Sequence, residues 1–180
     1  PLAKSLIKKF GSFAEAVSAP TDRLQEMPGL GEATIVALKS VQAAALKLSQ
    51  GRVMNKPVLA GWTALLDYCR ASMAYHPPEQ FRILFLDRKN MLIADEIQQT
   101  GTIDHTPVYP REVVKRALEL GSSAIIMVHN HPSGDPTPSR ADIEMTKLVQ
   151  EAGEKLGIIL HDHLIIGRSG ETSFKSIGLI

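Results

Sequence analysis

The chain has 180 residues, of which 44% are hydrophobic and 22% are charged, and its formal net charge is +1. This composition is typical of a soluble globular protein, and the charge gives no global attraction to nucleic acid or to an anionic membrane. No apolar run is long enough to span a bilayer and no signal peptide is visible, so we expect no membrane partner. The single cysteine, Cys69, excludes an internal disulfide and favours a reducing, cytoplasmic setting.

The first fifty residues are predicted to form a small all-α domain. The chain begins at Pro1, without a Met and inside a helical pattern, so we expect it to be part of a longer protein. Apolar residues repeat at helical spacing from Leu2 to Phe10 and stop at Gly11, which predicts a short first helix. Further helices are predicted over residues 12–19, from a cap at Thr21, and over residues 33–48.

A tight turn with the sequence Pro28-Gly29-Leu30-Gly31 joins the last two of these helices. A helix, a Pro-Gly-x-Gly turn and a second helix form the helix-hairpin-helix pattern. Gly29 and Gly31 would let the backbone approach a phosphate at a helix N-terminus, where the helix dipole favours anions. The pattern therefore predicts non-specific binding to the DNA backbone. The alternative is that the two glycines only make a tight turn, since acidic residues flank the loop.

A second domain is predicted beyond a polar linker at residues 49–57, so that the two domains span 1–50 and 57–180. Its helices are predicted over residues 58–74, 110–121 and 139–155, and its strands over 81–86, 91–98, 123–128, 157–160, 164–167 and 172–174. The first two strands form a hairpin, and strands and helices alternate afterwards. This order predicts an α/β fold with a mixed sheet and helices on both faces.

Several side chains of this second domain are assigned to packing or to loops. Trp62 and Cys69 lie on the apolar face of a predicted helix, together with Leu59, and Leu118 lies on the inner face of another. The segment His161-Asp162-His163 is expected to turn the chain between two strands or to line the cleft. The hairpin is predicted to end near Gly101-Thr102, and His105 is a lone loop histidine without a functional signal.

Two histidines follow the apolar run at residues 123–128, which predicts a buried strand. Alternate residues of an extended segment point to the same side, so His129 and His131 can converge on one point. Pro and Gly fill the next loop, and Ser139 and Asp142 then begin an amphipathic helix. Two neutral imidazoles and a carboxylate suit zinc, with an open fourth position for water.

Ser139 and Asp142 also have an explanation that needs no metal. A serine followed three residues later by an acid forms a capping box at a helix start. Taken alone, the pair favours this cap. The two histidines have no comparable packing role, and the four residues together predict a metal site.

This stretch resembles the JAMM, or MPN-plus, zinc metalloprotease signature. It has His-x-His, seven residues, Ser139, two residues and Asp142, and the wording His-Asn-His-Pro-Ser-Gly-Asp-Pro-x-Pro-Ser-x-x-Asp is that of the RadC branch. The resemblance covers roughly residues 57–180. It implies a three-layer α/β/α JAB fold related to that of cytidine deaminases, with one zinc ion on His129, His131 and Asp142. It also implies that Ser139 helps to stabilise the oxyanion, and that a helix-hairpin-helix domain precedes the JAMM domain.

A general base is needed to move protons between water and the leaving group, and two acids compete for this role. Glu79 stands just before the first predicted strand, where the catalytic glutamate of JAMM proteins is found. Glu96 lies on the predicted inner side of the second strand. Glu79 is the preferred assignment because of the family resemblance, and Glu96 remains the second choice. A solvated surface position is the alternative for Glu79.

The favoured function is a zinc-dependent peptidase or isopeptidase acting on a protein or peptide, in a context related to DNA repair. One alternative is a DNA-binding module whose metal is structural, and another is a metal-dependent nuclease. The letters His-Asn-His do not indicate an HNH nuclease, because adjacent residues cannot take the separate places of that metal unit. A zinc deaminase is excluded because its Pro-Cys-x-x-Cys ligands are absent.

Overall fold

A computed structural model describes residues 2–100 and 108–180 of the chain. Its N-terminal region is helical, as predicted, with α1 Leu2–Phe10, α2 Phe13–Ser18, α3 Thr21–Gln25 and α4 Glu32–Val53. Gly11 ends α1 with a φ of 100°, and the Ser12 hydroxyl caps α2 by accepting from the Glu15 amide at 3.1 Å. Thr21 is the first residue of α3 rather than its cap. Buried apolar side chains from all four helices form one small core.

The fourth helix is longer than predicted and runs through residues that were expected to be a polar linker. It ends at Val53 rather than near residue 48. Val53 is buried in the core that includes the sheet, which offsets the cost of about 0.5–1 kcal/mol for Gly51 inside a helix. The backbone beyond it is also structured, since Met54 and Pro57 make isolated β-bridges to Leu92 and Met91. Tertiary packing therefore extends the helix beyond its local sequence signal.

In the remaining described residues, a five-stranded mixed sheet forms the centre. Its strands are β1 Gln80–Leu86, β2 Leu92–Thr100, β3 Ala124–Asn130, β4 Ile159–Ile166 and β5 Glu171–Ser173. They lie in the order β2-β1-β3-β4-β5. Only the β3–β4 pair is parallel, and the other three pairs are antiparallel. The predicted mixed sheet with an antiparallel start is confirmed.

Helices cover both faces of this sheet, so the fold has three layers, α/β/α, as predicted. Helix α5, Trp62–Met73, packs on one face, and α6, Pro110–Glu119, packs with α7, Arg140–Glu154, on the other. Side chains alternate along each strand between the two cores. In β3, for example, Ile126 and Val128 face α5, whereas Ile125 and Met127 face α6 and α7. This alternation decides which side chains can reach the start of α7.

Some side-chain assignments are confirmed and others are wrong. Cys69 lies on the buried side of α5, and burial raises the pKa of its thiol to about 12, which fits a packing role. Trp62 packs against the same core but is only partly buried. Leu59 and Leu118 were predicted to face inward, yet they are 51% and 53% exposed. Leu59 lies before α5 begins, because the chain at residues 58–61 forms a turn instead of helix.

Of the two expectations for residues 161–163, the turn between strands is wrong, because the segment lies within one strand, β4. The register between β3 and β4 shifts by one residue there, between Ile125/Leu160 and Ile126/Asp162. The predicted hairpin end at Gly101-Thr102 and the loop residue His105 lie outside the described residues. Over the ranges 2–100 and 108–180, no helix is long and apolar enough to cross a membrane.

Candidate metal centre

Two imidazoles meet where β3 ends. His129 lies on the face of β3 that is turned toward α7, and it is buried, with its ring stacked on Phe81 at 5.5 Å between centroids. His131 follows the strand, and its amide donates to the Ile166 carbonyl at 3.0 Å, which holds the chain against β4. The Nε2 atoms of His129 and His131 are 3.0 Å apart. The predicted convergence of these two side chains is therefore present.

A carboxylate completes the group from the first turn of α7. The Asp142 Oδ1 atom lies 3.3 Å from His129 Nε2, and its Oδ2 atom lies 3.6 Å from His131 Nε2. One donor atom from each of the three residues lies within 4.8 Å of the others, so the group could hold a metal ion. Two imidazole nitrogens and a carboxylate oxygen are a donor set that suits a zinc site with an open position.

The structure confirms the capping explanation for Ser139 and Asp142. The Ser139 hydroxyl accepts from the Asp142 amide at 3.1 Å, and the Asp142 carboxylate accepts from the Ser139 amide at 2.7 Å. The two roles are compatible because a carboxylate can accept several hydrogen bonds. The capping box thus fixes the side chain of Asp142 at the helix start, where it meets the two imidazoles.

The loop between His131 and α7 fixes the orientation of the His131 ring. The Nδ1 atom of His131 lies 2.8 Å from the backbone carbonyl of Asp135. A carbonyl can only accept, so Nδ1 carries a hydrogen, and Nε2 is the nitrogen that faces Asp142. Gly134 gives the loop its turn with a φ of 92°, and its carbonyl accepts from the Arg168 amide at 3.1 Å.

His163 is the residue that sequence reasoning missed. Its Nε2 atom lies 2.8 Å from His129 Nδ1, and its Nδ1 atom lies 2.6 Å from the hydroxyl of Thr146 on α7. The register shift in β4 turns His163 to this face of the sheet, because one extra residue reverses the alternation. The available signal was an imidazole inside an apolar strand, between Leu160 and Leu164.

The pKa values of Asp142 and His131 are shifted in opposite directions. Burial raises the pKa of the Asp142 carboxyl, but its contacts with His129 and His131 outweigh burial and hold that pKa well below its usual range. The hydrogen bond to Asp142 raises the pKa of His131, and the charge of Glu79 raises it further. Burial lowers the pKa of His163 well below the usual value. A full negative charge therefore faces the imidazoles near neutral pH.

Comparison with protein families matches a RadC-like JAB domain over residues 59–179. The chain belongs to the RadC-like JAB family. It is 61% identical to a UPF0758 protein of Rhodobacter capsulatus over 180 residues, which are the whole chain and 84% of that relative. It is 57% identical to a UPF0758 protein of Ruegeria pomeroyi over 180 residues, again the whole chain and 80% of the relative. The resemblance to RadC proteins is confirmed.

Glu79 and Glu96, the two acids proposed as general base, lie at different positions of this RadC-like JAB domain and have different surroundings. Phe81 pairs with His129 in the antiparallel β1–β3 register, and continuing this register by two residues beyond that pair would put Glu79 level with His131. The effect of the Glu79 charge on the pKa of His131 agrees with this placement. Glu96 instead accepts hydrogen bonds from Arg116 of α6 at 2.6–3.1 Å. Those bonds lower the pKa of Glu96, which makes it a weaker proton acceptor.

The two glycines between α3 and α4 have different backbone conformations. Gly29 has a φ of 81°, which residues other than glycine rarely adopt, so the turn itself needs a glycine there. Gly31 precedes α4 with a φ of −76° and a ψ of 162°, which any residue can adopt. A Cβ atom added at Gly31 would meet no atom within 4 Å. The fold therefore gives a reason for Gly29 but not for Gly31.

Proposed function

We propose that the chain is a zinc-dependent hydrolase of the JAMM type that cleaves a peptide or isopeptide bond in a protein or peptide. The observation that carries this proposal is the arrangement of His129, His131 and Asp142. The Nδ1 atoms of both imidazoles are held by partners outside the group, while both Nε2 atoms lie beside the Asp142 carboxylate. Such outer contacts are what orient histidine ligands in metal sites.

The residues around the group can divide the chemistry among them. A zinc ion bound there would polarise the scissile carbonyl and acidify water. Glu79, opposite His131, would accept the proton of the attacking water and pass it to the leaving nitrogen. Ser139 accepts a hydrogen bond from the Asp142 amide, which fixes its Oγ atom and leaves its own hydrogen to donate to the developing oxyanion.

The test compares Glu79→Gln with Glu96→Gln as a matched control. Zinc per chain is measured in the purified proteins, and hydrolysis is followed with a peptide library and with an isopeptide-linked protein pair. We expect Glu79→Gln to keep its zinc and lose hydrolysis, and Glu96→Gln to keep both. Hydrolysis retained by Glu79→Gln would contradict the role of Glu79. Stoichiometric zinc retained by a His131→Ala variant would contradict the metal site.

A second candidate function is non-specific DNA binding by the N-terminal helical region. The metal would then have a structural role, or it would serve a nuclease activity of the chain. The supporting observation is Gly31, because neither its backbone conformation nor its packing requires a glycine. A remaining reason for a glycine at position 31 is that it would let a phosphate approach the start of α4 closely. DNA binding of this kind would give the hydrolase a context related to DNA repair.

Gly31→Ala separates this function from a folding role more clearly than Gly29→Ala does. We expect Gly31→Ala to keep the unfolding midpoint of the parent chain and to weaken its salt-dependent binding to duplex DNA. Unchanged binding would contradict the assignment of Gly31. Incubation of the zinc-loaded chain with labelled DNA tests the nuclease alternative, since cleavage that disappears in His131→Ala would replace the peptidase proposal.

A further inference from the structure

We propose that Thr146 and His163 are positioning residues that fix which nitrogen of His129 carries the hydrogen, and thereby keep His129 Nε2 free for a metal. The inference rests on the proposed function, because it assumes that His129 is a metal ligand. Neither residue belongs to the group that could hold the metal, and neither carries a role in the chemistry described above. Both act on the group only through His129 and Asp142.

The direction of the hydrogen bonds among Thr146, His163 and His129 follows from the contact between Thr146 and Asp142. The Thr146 hydroxyl lies 2.5 Å from the backbone carbonyl of Asp142, one helical turn earlier in α7. A carbonyl has no hydrogen to give, so the Thr146 hydroxyl must donate to it. The same oxygen lies 2.6 Å from His163 Nδ1, and its only hydrogen is already donated to the Asp142 carbonyl. Thr146 therefore accepts there, and His163 carries its hydrogen on Nδ1.

The second half of the chain of contacts follows in the same way. A neutral His163 with its hydrogen on Nδ1 has a lone pair on Nε2, which lies 2.8 Å from His129 Nδ1. His129 must donate into this contact, so its own hydrogen is on Nδ1. Its Nε2 atom then turns a lone pair toward Asp142 and His131, as a metal ligand requires.

These contacts form a ring that begins and ends at the same residue. They run from the Asp142 carbonyl through Thr146, His163 and His129 and return to the Asp142 carboxylate. Thr146, His163 and His129 are all buried. The rings of Phe81 and Phe174 pack against His163, with centroids 5.6 and 4.5 Å away. An apolar enclosure of this kind leaves Thr146, His163 and His129 Nδ1 to satisfy one another, and the Thr146 bond to the Asp142 carbonyl sets their order. The contact between Nε2 of the neutral His129 ring and the Asp142 carboxylate carries no hydrogen.

The wild-type chain gives the first test, which needs no metal and no activity. Nitrogen-15 NMR of the histidine rings distinguishes Nδ1–H from Nε2–H in the metal-free chain. We expect both His163 and His129 to carry hydrogen on Nδ1. Hydrogen on Nε2 of either ring would overturn the inference, whether or not the chain proves to bind zinc. A chain that shows the expected tautomers but binds no zinc would instead contradict only the proposed function.

Variants provide the second test. Thr146→Val removes the hydroxyl with little change of shape, and Thr146→Ser restores it. His163→Leu removes the acceptor for His129, and His163→Gln supplies a new one. His161→Leu is the matched control, because His161 lies in the same strand and is half-buried, but its Nε2 contacts Asn90 at 2.6 Å instead of the group.

Zinc affinity is measured by competition with a chelator, and the fold is checked by the unfolding midpoint. We expect Thr146→Val and His163→Leu to lose about 10–100-fold in affinity, and Thr146→Ser, His163→Gln and His161→Leu to stay near the parent. Thr146→Val should also lose the Nδ1–H signal of His129. An affinity loss in Thr146→Val that Thr146→Ser does not restore, or one equalled by His161→Leu, would overturn the inference.

Discussion

The side chain of Asn130 holds the amide of Gln80, which donates to Asn130 Oδ1 at 2.8 Å across 50 positions of sequence. The Nδ2 group of Asn130 donates to the carbonyls of His76 and Pro78, at 3.1 and 3.3 Å. Asn130 is the middle residue of the His-x-His pattern, and alternation along the strand turns it away from the two imidazoles. It therefore fixes the segment that carries Glu79, while its neighbours form the candidate metal centre.

Replacing Asn130 should separate metal binding from turnover. Asn130→Ala leaves buried backbone groups without a partner, so we expect the free energy of unfolding to fall by about 1–3 kcal/mol. Displacement of Glu79 by about 1 Å would lower kcat by roughly a hundredfold. Zinc per chain should stay at the parent level, because all three donor residues remain. Loss of zinc together with turnover would mean that Asn130 supports the donors and not the Glu79 segment.

Gly167 leaves room for the loop that holds His131. A Cβ atom at this position would collide with the Gly134 carbonyl and lie 2.9 Å from Pro136 Cδ. We expect Gly167→Ala to push this loop away, disturb the bond from His131 to the Asp135 carbonyl and lower zinc affinity by about tenfold or more. A chelator competition assay measures the change.

The control for this substitution is Gly51→Ala in α4. A Cβ atom at Gly51 meets no atom within 4 Å, and the helical conformation favours alanine. Gly51→Ala should therefore raise the free energy of unfolding by about 0.5–1 kcal/mol and leave zinc affinity unchanged. Equal zinc affinities for Gly167→Ala and Gly51→Ala would show that the loop does not constrain His131.

The raised pKa of His131 predicts how zinc affinity depends on pH. A protonated imidazole cannot bind a metal, so protons compete with zinc as the pH falls through this pKa. The hydrogen bond to Asp142 raises the pKa above the usual 6.5, so the competition begins at a higher pH than for an ordinary histidine. We expect zinc affinity, measured by chelator competition over a pH series, to fall already above pH 6.5. A decline confined to lower pH would contradict the shift.

The metal-free chain should show the opposite trend for the same residue. A folded-state pKa above the unfolded one contributes stability that is complete below the unfolded pKa and is lost as the pH rises through the folded one. The free energy lost in His131→Gln, relative to the parent, should therefore be largest below pH 6.5 and shrink at higher pH. The difference between the two chains is needed because burial lowers the pKa of His163, which contributes with the opposite sign.

A buried ion pair lies on the other face of the sheet. Arg82 donates to Asp95 at 2.7 Å and to the Tyr68 hydroxyl at 3.0 Å, and Tyr68 also contacts Asp95. The side chains of Arg82 and Asp95 are only 13% and 2% exposed. We expect Asp95→Ala to lower the free energy of unfolding by about 3–5 kcal/mol, because an uncompensated guanidinium remains buried. Urea unfolding of the metal-free chain measures the change.

An exposed pair gives the control for this prediction. Glu144 accepts from Arg140 on the surface of α7 at 2.8 Å. Glu144→Ala should change the free energy of unfolding by less than about 1 kcal/mol. The double substitution Arg82→Met with Asp95→Leu should recover most of the loss, since apolar side chains fill the space without charge. A double variant as unstable as Asp95→Ala would show that the ion pair itself stabilises the fold.

Local patterns in the sequence were sufficient where the interaction partners are near neighbours in the chain. The spacing of His129 and His131 on a strand, and of Ser139 and Asp142 in a capping box, follows from backbone geometry over a few residues. The order of strands and helices predicted the mixed sheet and its two covered faces, because each element must bury one apolar face. The resemblance to RadC proteins rests on these same residues and was confirmed.

Only the tertiary structure decided which distant side chains join the group. His163 lies 34 positions from His129, and a register shift within β4 determines that it faces His129 instead of α5. Packing likewise extended α4 to Val53 and exposed Leu59, against their local patterns. A one-residue shift in a strand reverses every side chain beyond it, and no local sequence signal records the pairing that produces such a shift. Local backbone geometry thus places the candidate metal ligands, and the pairing of strands in the sheet places the side chains that orient them.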